Sequence, residues 1–381
     1  MVPNDWNYKR LGVVAELQRG FDLPAAKRRD GSVPIISSGG LSGYHNEAKV
    51  SAPGIVTGRY GSIGDVFFIE EDFWPLNTSL WVKNFHGNDP KYLYYLLTSF
   101  DFKKFSDKTG VPGVNRNDLH AVKVGVPPLP EQRKIARTLS TWDKAITTTE
   151  KLIETSKQQK KALMQQLLTG KKRLVNPETG KVFEGEWEEL KVSQFGKVVT
   201  GNTPPKNDDS NYGSDISWAT AEDFKGKYVG NTRVKLTKSG ASKARIVPKG
   251  SVLVTCIASI GKNAIARESI TTNQQINAVI VNDEHCNEFF YYQIEFNKHK
   301  LNAWAGTTAV PILNKSSFEK IPLSAPSKNE QQKIASVLTA ADKEIELLEV
   351  KLTHFKQEKK ALMQQLMTGK RRVKVDKAEA A

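Results

Sequence analysis

Hydrophobic positions follow two different rhythms, and each rhythm occurs twice along the chain. From Ile135 the apolar residues step by fours and threes through Leu139, Trp142, Ile146, Ile153, Leu163 and Leu167. The same track returns through Ile334, Leu338, Ile345, Leu352, Phe355, Leu362 and Leu366. A spacing of about 3.5 residues held over more than four heptads predicts a coiled-coil seam on each of two long helices. Thr149, Ser156 and Lys160 weaken the first seam, and Lys359 alone weakens the second at those places. Each helix follows a proline-containing turn and stops at a Thr-Gly pair, Gly170 and Gly369, as helix ends require. From Ile135 to Leu167 such a helix rises about 48 Å at roughly 1.5 Å per residue.

Elsewhere the apolar residues come in short alternating or β-branched runs bounded by Gly, Pro and Asn. Gly54-Ile55-Val56-Thr57, Val66-Phe67-Phe68-Ile69 and Ser251-Val252-Leu253-Val254-Thr255 predict strands. Short helices are expected near residues 91–97 and 288–294. No regular alternation of strands with dozen-residue helices occurs, which excludes a doubly wound sheet. The reading is a mixed α/β (α+β) fold.

The two helical runs are copies. Aligned at a constant offset of 199, residues 131–173 and 330–372 share 24 identities in 43 positions without a gap. This is an internal duplication. It extends faintly into the globular segments. Trp6 and Trp187 open each segment, Gly20 and Gly201 follow, and Ser62-Ile63-Gly64 is answered by Ser259-Ile260-Gly261. Asn77 pairs with Asn273, and Val111-Pro112 with Asn115 pairs with Val310-Pro311 and Asn314. The expected organisation is a first globular domain (1–126), a first helix (127–173), a second globular domain (174–325), a second helix (326–373) and a tail (374–381). Units related by a pseudo-two-fold axis would pair their helices antiparallel. With Ile135 facing Leu366, Trp142 would lie across from Lys359, whose ammonium could rest on the indole.

Composition narrows the function. The net charge of +15 favours a polyanionic partner, and the helical segments 127–173 and 326–381 carry eleven of those charges. No run of 18 apolar residues predicts a membrane span. No secretory leader is expected, and two cysteines, Cys256 and Cys286, suit the cytoplasm. Six scattered histidines lack metal-ligand spacing. Gly261-Lys262 is not a phosphate-binding loop. No catalytic residue, metal site or cofactor is assigned to this chain.

Binding chemistry is present instead. Lys27, Arg28 and Arg29 share a loop after Gly20, with Arg19 beside that glycine. Arg59, Tyr60 and Ser62 sit in a glycine-flanked turn, and Ser259, Lys262 and Asn263 sit in its counterpart. Lys206 follows Gly201, while Asn115 and Asn314 recur at the repeat offset. Such turns let backbone amides and hydroxyls meet phosphates, and let Arg and Asn pair with guanine and adenine edges. Taken alone, the residues also allow a structural adaptor with two protein-binding domains on a helical spacer.

One resemblance separates these readings. The run Pro127-Pro128-Leu129-Pro130-Glu131-Gln132-Arg133-Lys134-Ile135-Ala136, a heptad helix, and Leu163-Met164-Gln165-Gln166-Leu167-Leu168-Thr169-Gly170-Lys171, repeated once, resemble the specificity subunits of type I restriction–modification systems. The second copy departs at Ser327-Lys328-Asn329, where the first has Pro128-Leu129-Pro130, and keeps Glu330, Gln331 and Ile334. The resemblance covers the whole chain. It implies two target-recognition domains, each reading half of a bipartite, asymmetric site in double-stranded DNA, with the coiled coil setting the gap. It further implies two modification subunits that use S-adenosylmethionine to methylate adenine, and two restriction subunits that can join them and use ATP and magnesium.

Overall fold

The computed structural model describes residues 3–105, 113–306 and 310–375. The landmark Val111-Pro112 and most of the tail, 376–381, lie outside them. The fold is mixed α+β. It forms two compact units, 1–151 with 349–381 and 152–348. The long helices Leu129–Leu167 and Lys328–Met367 therefore each contribute one half to each unit.

In the first unit a four-stranded antiparallel sheet runs in the order Glu16–Arg19, Ser79–Asn84, Gly54–Gly58, Val66–Ile69. A three-stranded sheet holds Gly40–His45, Val33–Ser37 and Trp74–Pro75. The helix Pro90–Thr98 starts where Asp89 accepts from the amide of Tyr92 with Pro90 at its first position, an arrangement that satisfies an otherwise orphaned donor. It buries Tyr92, Tyr95, Leu96 and Leu97 against the sheet. That core continues into Ile135 and Leu139 from the start of one long helix, and Leu366 and Met367 from the end of the other. Antiparallel pairing follows.

The second unit repeats the plan with larger sheets. One five-stranded sheet runs Gly196–Thr200, Ile276–Val281, Val252–Thr255, Asn263–Ala266, Tyr228–Val229. A second is built around Ile216–Ala219 and Ile270–Thr272. Phe289, Phe290 and Tyr292 of the helix Asn287–Phe296 pack with Leu167, Leu168, Ile334 and Leu338. The outermost positions of the predicted seam thus belong to the globular cores, at 0–1% exposure.

Between those ends the seam is polar as well as apolar. Trp142 packs edge-on against Phe355, with centroids 5.8 Å apart, while Thr149 and Ser156 are buried. Lys359 does not face Trp142. It pairs with Asp143 at 17% side-chain exposure and lies 5.4 Å from the centre of the Tyr95 ring. The indole instead takes the better apolar partner, and the ammonium takes a carboxylate, which attracts it more strongly than a ring. Asp143 also accepts from the Tyr95 hydroxyl at 2.5 Å. The counterpart is complete: Lys160 pairs with Asp342, which accepts from Tyr292 at 2.5 Å.

Each helix start is clamped to its domain. Glu131 accepts from Trp6 Nε1 and from both Nε and Nη2 of Arg372. Glu330, fully buried, takes a bidentate bond from Arg173 at 2.7 Å. Gln132 and Gln331 each donate to a proline carbonyl, Pro127 and Pro326, and accept from a backbone amide, that of Asp89 and Cys286. Among the described residues no helix is long and apolar enough to cross a membrane.

Candidate nucleic-acid interface

In the first unit three of the candidate residues, Arg59, Tyr60 and Ser62, share the turn between Gly54–Gly58 and Val66–Ile69. The amides of Arg59 and Tyr60 both donate to the carbonyl of Thr78, at 3.0 and 3.2 Å, and Arg59 O accepts from Val114. The buried Thr57 hydroxyl closes the turn on Asp65 O at 2.9 Å. Gly61 and Gly64 have φ of +78° and +105°, where a side chain is disfavoured. The Arg59 guanidinium lies 4.6 Å from the centre of the Tyr60 ring. Tyr60 in turn lies over Gly113, where any Cβ would come within 2.4 Å of the ring. Ser62 and Tyr60 are exposed and Arg59 is half-buried. The turn offers a stacked cation, a hydroxyl and a rigid backbone.

The basic loop divides its labour. Lys27 and Arg29 are exposed, but Arg28 donates to Ser42 O at 3.1 Å and braces the neighbouring hairpin. Arg19 is exposed and paired with Asp22 at 2.9 Å.

In the second unit the corresponding turn joins Val252–Thr255 to Asn263–Ala266. Cys256 N donates to Gln275 O at 2.8 Å, and Cys256 O accepts from Leu313. The Thr255 hydroxyl closes the turn on the carbonyls of Ser259 and Lys262. Ala258 takes the place of Gly61 at φ +61°, a region that costs a non-glycine residue about 1 kcal/mol. Its amide is held by Pro311 O at 3.1 Å. Ser259 and Lys206 are exposed.

Two expectations in this unit change. Asn263 is 6% exposed on a sheet strand, with Nδ2 donating to Tyr291 O at 2.8 Å, so it faces the core and not a duplex. Lys262 spends its ammonium on Ala221 O at 2.6 Å and braces a loop. Asn115 and Asn314 are exposed, yet their side-chain oxygens cap the short helices Arg116–Ala121 and Lys315–Lys320. That signal was available in the sequence, since Asn is a preferred N-cap. Thr78 and Gln275, whose carbonyls anchor the turns, carried no such signal. No cluster of three or more His, Cys, Asp or Glu side chains able to hold a metal occurs among the described residues.

The profile described as the type I restriction modification DNA specificity domain matches the chain twice, at residues 3–157 and 184–355. The chain is 33% identical over 168 residues to the type I restriction enzyme MjaIX specificity subunit of Methanocaldococcus jannaschii, covering 42% of this chain and 39% of that one. It is 26% identical over 413 aligned positions to the MjaVIII specificity subunit of the same organism, covering 98% and 94%. The fold matches the crystal structure of a type I restriction–modification system S subunit from M. genitalium, with a TM-score of 0.66 at 15% identity over 96% of this chain and 98% of that one.

Proposed function

The chain belongs to the type I restriction–modification DNA specificity family, and from that premise we propose how its residues divide the work of recognition. It is a specificity subunit with two repeated recognition domains, and the catalysis of the system lies in partner subunits. The domains, taken as 1–126 and 174–325, each read one half of a bipartite, asymmetric site, and the paired helices set the gap between the halves. The subunit assembles with other restriction–modification subunits and DNA. Two modification subunits carrying S-adenosylmethionine, joined by two restriction subunits using ATP and magnesium, are the proposed full complement, acting in the cytoplasm. One observation carries this reading: the specificity profile matches twice, and each match contains a glycine-type turn braced by a buried threonine.

The test is binding of the purified chain to duplex DNA across a salt series. A steep fall of affinity with salt is expected, because neutralised phosphates release counterions. Arg59→Ala should relax one base of the first half-site at a cost of about 1–3 kcal/mol. Lys27→Ala should weaken all sequences alike and lower the salt slope by about one unit. Affinity indifferent to salt would favour an adaptor instead.

A further inference from the structure

Beside each turn the structure places a side-chain amide held by one hydrogen bond from a neighbouring loop. In the first unit this is Asn77, one residue before the Thr78 carbonyl that receives the turn. Its Nδ2 donates to Asp22 Oδ1, and Asp22 also takes Arg19 Nη2 on both oxygens, at 2.9 and 3.1 Å. In the second unit the residue before the receiving carbonyl of Gln275 is Gln274. Its Oε1 accepts from the Thr203 hydroxyl at 2.6 Å. Asp22 and Thr203 each stand two residues after a glycine that cannot carry a Cβ, because Gly20 and Gly201 press against Leu76 O and Thr272 Oγ1 at 2.2 and 2.1 Å from its position. The hydrogen bonds therefore pair Asn77 with Gln274, although the sequence alone aligns it with Asn273. Gln274 and Asp22 are exposed, and Asn77 and Thr203 are half-buried.

We propose that Asn77 and Gln274 are base-reading residues, one for each half-site, and that Asp22 and Thr203 are positioning residues that fix which way each amide points. This rests on the recognition reading above. A carboxylate only accepts, so Asp22 holds the Asn77 nitrogen inward and turns its oxygen out. The Thr203 hydroxyl donates to the Gln274 oxygen and so turns its NH2 out, a looser tether than the carboxylate because a hydroxyl can also accept. The two amides then present opposite patterns, an acceptor in the first unit and donors in the second. Major-groove edges are told apart by such patterns. An amide free to rotate would accept either, so the tether, and not the amide alone, sets the choice. Spending one polar group on the tether lowers the entropy of ordering the reader at the moment of binding.

The experiment expresses the full chain, wild type or variant, with its modification subunit in cells lacking other DNA methylation, and reads the modified sites by sequencing. Binding to the wild-type site and to single-base variants is measured alongside. Asn77→Ala should erase the preference at one position of the first half-site and cut discrimination there about tenfold, leaving the second half intact. Gln274→Ala should do the mirror of this. Asp22→Asn and Thr203→Val should keep that position selective but admit one further base. Variants that melt with the wild type and mark its unchanged motif overturn the proposal, as does an equal loss in both halves, the mark of a merely structural role. A wild-type chain that marks no bipartite site overturns the recognition reading instead.

Discussion

A half-buried histidine gives the first unit a dependence on pH that can be read from one hydrogen bond. His120 Nε2 accepts from the Leu17 amide at 2.8 Å, which only the neutral ring can do. Burial, with Arg116 nearby, pushes its pKa below the ordinary 6.5, against a smaller upward pull from Glu16. The unfolded chain thus binds this proton at higher pH than the folded one. The stability it contributes is complete above about pH 6.5 and is lost as pH falls toward the lowered value. Denaturation midpoints measured from pH 7.5 to 5.5 should fall more steeply for the wild type than for His120→Gln, which keeps an acceptor but does not titrate. Parallel curves would remove His120 from this role. The same scale shows where sequence reading stops. Arg59 and Ser62 were legible because glycines announced their turn. Lys262 ends the matching turn and Asn263 opens the strand after it, but residue type does not reveal that the Asn263 side chain points inward and that of Lys262 reaches back to Ala221.

At the scale of helices, the heptad track predicts two long helices and the duplication their antiparallel pairing, but neither shows what their polar seam positions touch. Lys160 and Lys359 read as weak spots. Each instead pairs with an aspartate that also accepts from a domain tyrosine, Tyr292 or Tyr95. Burial, and then the aspartate, raises the pKa of both phenols, so they remain donors at any ordinary pH. The tyrosine lies some 50 residues from its aspartate, so no periodicity in the helix could announce it. Lys359→Leu is therefore costly and not tolerated as a seam repair. It strands a partly exposed carboxylate, which we put at about 1–2 kcal/mol once solvent screening is allowed for. A double-mutant cycle of Lys359→Leu with Asp143→Leu, followed by denaturant unfolding, should give a coupling of about 1 kcal/mol. Purely additive costs would show that the pair contributes nothing.

At the scale of the whole chain, the ion pairs Glu131–Arg372 and Asp143–Lys359 recur at the repeat offset as Glu330–Arg173 and Asp342–Lys160, so half the chain carries both sides of each of these pairs. A fragment ending at Arg173 keeps Glu131, Asp143 and Glu150, whose partners in the intact chain are Arg372, Lys359 and Lys356. It also keeps Arg173, Lys160 and Lys157, the residues that stand at those partners' positions one repeat earlier. A second copy of the fragment can therefore supply every ion pair the first has lost. Its stripe of Ile146, Ile153, Leu163 and Leu167, beyond the part of the helix held in its own domain's core, would otherwise face water, which a folded chain avoids over so long a surface. Identical surfaces close most simply with two-fold symmetry, so the fragment should dimerise. The dimer should be weaker than the intact helix pair. Association becomes intermolecular, and Trp142 meets Ser156 where the intact chain offers Phe355. Replacing Ser156 with Phe should tighten it. Two copies of one recognition domain would then read the same half-site on opposite strands. With the modification subunit present, the marked sequence should become an interrupted palindrome of the first half-site. Sedimentation gives the association state, and sequencing of modified DNA gives the motif. A strictly monomeric fragment, or a dimer that still marks the asymmetric site, would falsify the view that each half of the chain is one complete recognition unit.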